Sequence, residues 1–461
     1  MPRLPPLHLA TVVGFVLAVI LLARELRQRR APSATFAWLF AMALFPYVGV
    51  PLYFAFGRRK LSRRAASKTP VYAPRPHADA RGTTDPVTPL ERLLDGMGVR
   101  VATADNTVEL LSTGETAYEA LLALIDGAKH SVHVATFILG GDETGTTILE
   151  HLTRRAAEGL EVRLLIDGLF ALRPSRRHLD ELKAKGGRVA VFGPLVHLPF
   201  RSRSDLRLHR KIAVVDGASA LIGGMNLAGE YMGPRPLPGR WRDVVLRITG
   251  SAAADLDALF RDDWAFASHE RLAAPPSSGA GKDGCAVRVV ASGPDVQTDT
   301  LYDALLFEMF IAKDRILIAT PYFVPDDAMV RALILACRRG IDVEIVVPIP
   351  SNHVMADLAG APSLRTLESM GAKVRAYTAG MLHAKVIVVD GALAAVGSAN
   401  FDMRSLFLNY EVMALLYGRH EIEMMAEWFA ELARDATSHL PAVGRFRAGA
   451  EDVAHLLGPL T

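Results

Sequence analysis

Beyond residue 88 the chain alternates short apolar runs with stretches of helical periodicity, and it does so twice. In the first half a helical pattern through Ala117 to Ala128 leads into the apolar run Ser131 to Leu139, a helix through Ile148 to Glu158, and the run Leu160 to Ile166. In the second, Leu301 to Ile311 leads into Arg315 to Val324, then Met329 to Arg338, then Ile341 to Val347. Short β-branched runs between helices predict parallel βαβ units whose helices cover a sheet, an α/β class. The halves match by offset: Ala135-Thr136 returns as Ala319-Thr320, Gly159 as Gly340 and His209 as His383. The spacing shortens slowly along the chain, as expected of two diverged copies with altered loops, so each half is one layered unit of an internal duplication.

The N-terminal part has another pattern. Leu7 to Ala23 is apolar except for His8, and Ala34 to Phe56 carries no formal charge before Arg58-Arg59-Lys60. Two membrane spans forming a transmembrane helical hairpin are the expectation, the second bent near Pro46, Gly49 and Pro51. No small-residue cleavage site separates Ala23 from the Arg-rich stretch Arg24 to Arg30. Arg3, Arg58, Arg59, Lys60, Arg63 and Arg64 outnumber Arg24, Arg27, Arg29 and Arg30, which puts the rest of the chain on the cytoplasmic side of a plasma membrane. The predicted division is an anchor over 1–60, a Pro/Ala/Arg/Ser-rich linker over 61–87, a first half over 88–267, a second linker over 268–284 and a second half over 285–461.

Composition changes this picture little. Half the 461 residues are hydrophobic, but the excess lies in the anchor, and a net charge of +3 gives no general pull toward nucleic acid. Cys285 and Cys337 are too few for a disulfide framework and have no metal-type spacing.

The chemistry lies in a duplicated motif. The first copy reads Leu208-His209-Arg210-Lys211-Ile212-Ala213-Val214-Val215-Asp216, the second Leu382-His383-Ala384-Lys385-Val386-Ile387-Val388-Val389-Asp390. On a strand, positions i and i+2 share a face, so each His and its Lys point the same way while Ile212 and Val214, or Val386 and Val388, pack behind them. The candidate catalytic set is His209, Lys211, Asp216, His383, Lys385 and Asp390. Asp216 and Asp390 stand at strand-to-turn junctions, where Asp commonly caps a turn, and are expected to organise backbone. Fourteen residues past each His comes a small-residue turn, Gly223-Gly224-Met225-Asn226 or Gly397-Ser398-Ala399-Asn400. Asn226, Asn400 and Ser398 are the candidate phosphate-binding residues, because small neighbours let backbone approach a ligand and amides donate to phosphoryl oxygens. Trp241-Arg242-Asp243-Val244 and Asn409-Tyr410-Glu411-Val412 follow at matching places. Asp243 and Glu411 are the candidate histidine-orienting carboxylates, expected to serve His209 and His383 respectively.

With these motifs assembled, the chain resembles the phospholipase D superfamily and, within it, the bacterial cardiolipin synthases. The resemblance extends to Trp38 and Tyr53 to Lys60 in the hairpin, to Pro321-Tyr322-Phe323-Val324-Pro325, and to Phe401-Asp402-Met403-Arg404-Ser405. It implies two phospholipase D-like α/β/α sandwich halves meeting face to face, with both His-Lys pairs around one phosphate and no metal or cofactor. It further implies His209 as nucleophile, forming a phosphohistidine, and His383 as acid and base. The implied substrate is phosphatidylglycerol, used as donor and as acceptor with release of glycerol, at a membrane and without nucleic acid. The alternative is a phospholipase D or phosphatidyltransferase that uses water or another alcohol. The chain departs from the family pattern at Val244-Val245, in place of Thr-His, and at Thr366-Leu367, in place of paired aromatics. Arg201, Arg203, Arg207 and Arg210, after the apolar Leu195 to Phe200, form a candidate contact with an anionic membrane surface.

Overall fold

A computed structural model describes residues 68, 70–72, 88–193, 207–274, 284–296 and 298–440, with 444, 447, 451 and 454. The expected hairpin, most of both linkers and the Leu195 to Arg203 surface lie outside the described residues. No described helix is long and apolar enough to cross a membrane.

The first half runs α1 (Pro89–Gly96), β1 (Thr103–Leu111), α2 (Gly114–Asp126), β2 (Ser131–Thr136), α3 (Glu143–Ala157), β3 (Glu161–Asp167), α4 (Arg176–Ala184), β4 (Arg188–Phe192), β5 (Ile212–Val215), β6 (Ser219–Gly223), β7 (Val245–Thr249) and α5 (Ser251–Ser268). The second runs β8 (Cys285–Ser292), α6 (Thr300–Ile311), β9 (Arg315–Ala319), β10 (Phe323–Val324), α7 (Asp327–Arg338), β11 (Asp342–Pro348), α8 (Val354–Ser369), β12 (Lys373–Tyr377), β13 (Val386–Val389), β14 (Leu393–Gly397), β15 (Phe401–Asp402), α9 (Met403–Phe407), β16 (Glu411–Leu416), α10 (Arg419–Arg434) and β17 (Ala436–Thr437). Each run of the sequence pattern falls on the expected kind of element. The apolar run Arg315 to Val324 divides into β9 and β10, and β10 leaves the main sheet to pair with β15.

The duplication is visible in the sheet. The first half is ordered β1-β7-β6-β5-β2-β3-β4, and the second β8-β16-β14-β13-β9-β11-β12 with β17 at its edge. In each, three strands are parallel and a meander of antiparallel strands returns to the centre. Antiparallel pairing of β1 with β8 joins the halves into one 15-stranded sheet. Alternation along β5 sorts its side chains: Ile212 and Val214 enter the core that contains Trp264 and Phe260 of α5, while Ala213 and Val215 enter the core that contains residues of α2, α3 and α4. The first of these cores continues through the second half, so the halves share buried surface as well as strand pairing.

Candidate active site

Each motif histidine lies just ahead of a strand, β5 or β13, that runs antiparallel to a parallel strand, β2 or β9. This places both at the edge of the sheet where the parallel strands end. The closing aspartates sit at the far end. Asp216 accepts hydrogen bonds from the backbone N–H groups of Lys129, His130 and Ser131 at 2.7–2.8 Å. Asp390 accepts from Lys313, Asp314 and Arg315 at 2.8–2.9 Å. Both take positive φ, 55° and 54°, a left-handed turn that Asp tolerates better than most residues. They join the motif strand to the start of its neighbour and stand outside the chemistry, so their place in the candidate catalytic set is corrected.

Two short bridges between the halves build the site. Leu208 bridges Tyr410, with His209 N donating to Tyr410 O at 2.9 Å and Tyr410 N to Arg207 O at 2.9 Å. Arg242 bridges Leu382, with His383 N donating to Arg242 O at 2.7 Å and Arg242 N to Met381 O at 2.8 Å. Each histidine is thereby held next to the carboxylate that directly follows the bridge residue of the other half, Tyr410 or Arg242. His209 Nδ1 lies 2.9 Å and 3.0 Å from the two Glu411 oxygens, and His383 Nδ1 lies 2.8 Å from Asp243 Oδ2. The expected same-half pairing is corrected: the carboxylates are exchanged, because the bridges cross the interface while the matching offsets describe each half alone.

The small-residue turns differ in a related way. Ser398 donates to Glu411 Oε2 at 2.6 Å and accepts from Val412 N at 3.0 Å. It supports the orienting carboxylate, which corrects its expected role as a phosphate ligand. The equivalent first-half residue is Gly224, where an added Cβ would lie 2.3 Å from Asp243 Oδ1. The shorter Asp243 needs that space, and the longer Glu411 leaves room for a serine. Asn226 Oδ1 accepts from Ile138 N at 3.2 Å. Asn400 is 6% exposed, with its Oδ1 buried and unpaired.

The two lysines are nearly enclosed. Lys211 Nζ donates to His209 O at 2.7 Å, and Lys385 Nζ lies 2.8 Å and 3.2 Å from the His383 ring nitrogens and bonds His383 O. Burial dominates the electrostatics, since a charge leaving water must be compensated by its neighbours. It brings Lys211 down to about 7 and Lys385 to about 8, against the pull of Glu411 and Asp243. It brings His209 down to about 4 despite Glu411, and takes His383 well below its ordinary value with help from Lys385, Lys211 and His209. Both lysine charges act on both histidines, so the two half-sites form one electrostatic unit. The carboxylates then diverge. Burial pushes Asp243 up to about 7, whereas the same push on Glu411 is overcome by His209, Lys211 and Ser398, which hold it below the usual range. Glu411 is a firm anion behind His209; Asp243, raised by burial, stands 2.8 Å from His383 Nδ1.

The walls are aromatic, and motif reading missed them. Phe137 meets His209 edge-on at 4.9 Å between ring centroids and lies 5.4 Å from Lys211 Nζ. Tyr231 and Trp241 flank His383 at 5.1 Å and 5.2 Å. Trp241 stood in a quoted motif beside Asp243; Phe137 and Tyr231 carry no local signal. Asp167, at the end of β3, was also missed: it accepts from Leu208 N at 2.8 Å and from Leu169 N at 2.8 Å, fixing the approach to His209. Arg207 and Arg210 are buried, Arg207 donating to Gly193 O at 3.0 Å and Arg210 pairing with Asp263 at 2.6 Å, so neither belongs to a membrane-facing surface. Among the described residues no group of three or more His, Cys, Asp or Glu side chains is arranged to hold a metal ion.

A family model described as cardiolipin synthase, phospholipase D-like domain, matches residues 121–264 and 306–433, and one described as phospholipase D-nuclease N-terminal matches residues 16–58. A cardiolipin synthase of Geobacillus kaustophilus is 34% identical over 453 residues, covering 94% of this chain and 90% of that protein. The major cardiolipin synthase of Bacillus subtilis is 34% identical over 432 residues, covering 89% of each. Among solved structures, a phosphatidylserine synthase of Haemophilus influenzae superposes with a TM-score of 0.60 at 16% identity, covering 81% of this chain and all of that one. A polyphosphate kinase of Porphyromonas gingivalis gives 0.51 at 14%, covering 83% and 59%. These two likenesses concern the fold alone. With two halves, two crossed His–carboxylate pairs and near full-length similarity, this chain belongs to the cardiolipin synthase family of phospholipase D-like proteins.

Proposed function

We propose that the protein is a phosphatidyltransferase that makes cardiolipin from two molecules of phosphatidylglycerol. The observation that carries this reading is the asymmetric pair of half-sites, one built for a nucleophile and one for proton transfer, in a chain of this family. Glu411, held anionic, accepts a hydrogen bond from His209 Nδ1–H and so leaves Nε2 with its lone pair. That nitrogen attacks the phosphorus of the first lipid, forming a P–N bond as the P–O bond to glycerol breaks. His383 in its protonated form, its Nδ1 held by Asp243, protonates the departing glycerol oxygen. In the second step His383 takes the proton from a glycerol hydroxyl of the second lipid, whose oxygen attacks phosphorus and releases His209. Lys211, Lys385, Asn226 and Asn400 hold the equatorial oxygens, where charge is concentrated in both transition states. One phosphodiester replaces another, so no nucleotide is consumed.

Both substrates reside in the bilayer, which suits the proposed N-terminal hairpin over 1–60, a multi-pass location in a bacterial plasma membrane and a cytoplasmic catalytic part. The division at 61–87 and 268–284 belongs to the same reading. Purified full-length enzyme supplied with phosphatidylglycerol in bilayers tests it: cardiolipin and free glycerol in equal amounts are expected. Phosphatidic acid as the main product would replace it with a hydrolase.

A further inference from the structure

Arg210, the residue between His209 and Lys211, points to the α5 side of the sheet and ends in a closed cluster of charge. Its guanidinium pairs with both oxygens of Asp263 at 2.6 Å and 2.7 Å, and lies 3.5 Å from Asp295. Its Nε donates to Glu411 O at 3.1 Å, so the same side chain grips the backbone of the carboxylate that orients His209. The cluster has two carboxylates and needs a second cation. That cation is Lys68, which bonds Asp263 and lies 2.5 Å from Asp295 Oδ2. All four charged side chains are at most 2% exposed.

Lys68 belongs to the stretch that leads from the hydrophobic N-terminal region to the first half. Its neighbours are also fastened: Val71 N donates to Asp295 O at 3.1 Å, and the buried Tyr72 hydroxyl accepts from Ala291 N on β8 at 2.7 Å. Lys68 Nζ lies 4.9 Å from the ring centroid of Tyr410, the residue whose carbonyl holds His209 N. The second half has Ala384 in place of Arg210, so among the described residues this arginine has no counterpart behind His383.

We propose that Lys68 is a positioning residue for the nucleophile. The segment that connects the membrane-proximal region to the enzyme is built into the back of the His209 half-site, and the geometry of that half-site depends on it. Two buried carboxylates facing a single guanidinium repel, and Arg210 cannot serve both while keeping its bond to Glu411 O. The negative charge left uncompensated behind the Tyr410 and Glu411 backbone also favours the protonated form of the mostly buried His209 imidazole.

The inference uses the transferase reading only for its assay, and wild-type turnover of phosphatidylglycerol tests that reading separately. The comparison is between full-length wild type, Lys68→Met and Lys68→Met with Asp295→Asn, in which charge balance is restored. Turnover and thermal unfolding are followed across pH. Lys68→Met is expected to lower kcat by about 10- to 100-fold with KM within about threefold, because the bond affected is made to the catalytic frame and not to substrate. The uncompensated negative charge favours protonated His209, so the acid limb of its rate profile moves to higher pH. The double variant is expected to recover about tenfold in kcat and return the acid limb toward wild type. If Lys68→Met folds poorly, the double variant alone decides, with kcat within about tenfold of wild type supporting the assignment and a greater loss opposing it. Folded Lys68→Met with wild-type kcat and pH profile overturns the proposal. So does a loss that the double variant, equally folded, leaves unchanged.

Discussion

Glu411→Gln isolates the effect of the crossed pairing on the nucleophile. The substitution keeps shape and volume in a site that is fully buried, so changes in packing are small. What it removes is the anion that His209 Nδ1 meets at 2.9–3.0 Å, backed by Ser398 at 2.6 Å. A glutamine presenting its NH2 to Nδ1 forces the proton onto Nε2 and abolishes the attacking lone pair. In the opposite rotamer the tautomer survives, but the developing charge on the ring loses its counter-ion. Replacing the buried carboxylate of a His–carboxylate pair by its amide costs on the order of 10⁴ in kcat in the best-studied hydrolytic triad, about 5 kcal/mol of barrier. A loss of about 10³ to 10⁴ in kcat with KM nearly unchanged is therefore expected here.

The assay that gives this meaning uses a phosphodiester donor with a nitrophenol leaving group, which departs without needing a proton. Glu411→Gln should show no burst of nitrophenol, because attack by His209 is impaired whatever leaves. If Glu411 served His383, the activated leaving group would restore the burst. A restored burst, or kcat above a tenth of wild type, refutes the crossed arrangement.

Asp243→Asn gives the complementary result: slow turnover of phosphatidylglycerol, by about 10² to 10⁴, but a near-normal nitrophenol burst, since only proton transfer is affected. Activity and stability should diverge with pH. The rate falls below about 4 as His209 is protonated, and falls above about 7 to 8 as Lys211 and Lys385 lose protons. Stability behaves otherwise: between about 8 and the ordinary lysine value of 10.5 the unfolded chain binds more protons than the folded one, so these two lysines make the protein more stable as pH rises. Denaturant unfolding beside rate measurements at pH 7, 8 and 9.5 checks the opposite signs. Asp216→Ala, which removes the acceptor for three backbone N–H groups, should lower stability by about 2–3 kcal/mol in chemical denaturation while the folded enzyme keeps kcat within about threefold.

The duplication and the order of elements were legible because they are periodic and local: apolar runs, helix faces and equal offsets to Gly and Asn. The exchange of Asp243 and Glu411 was not, because it depends on β1 pairing with β8 and on the bridges Leu208 to Tyr410 and Arg242 to Leu382, contacts between residues over 130 positions apart. Arg210 was legible in principle. It shares strand parity with Ile212 and Val214, so a buried position against α5 followed from the same alternation that paired His209 with Lys211. Charge argued for the surface, and Asp263 on the facing helix reversed that preference. Lys68 had no comparable signal, since it lies in an aperiodic stretch and its partners are 195 and 227 residues away.

One site, shared by the two halves, is expected to carry the phosphatidyl group on His209 while His383 manages the proton. Trapping tests it most directly. His383→Asn enzyme is mixed with the nitrophenyl-activated phosphatidyl donor, quenched at neutral to alkaline pH, digested and read by mass spectrometry. The expected adduct is a phosphatidyl group on the peptide containing His209, absent from wild type once acceptor lipid is added. An adduct on any other residue, or nitrophenol release with no protein adduct at all, would contradict the account.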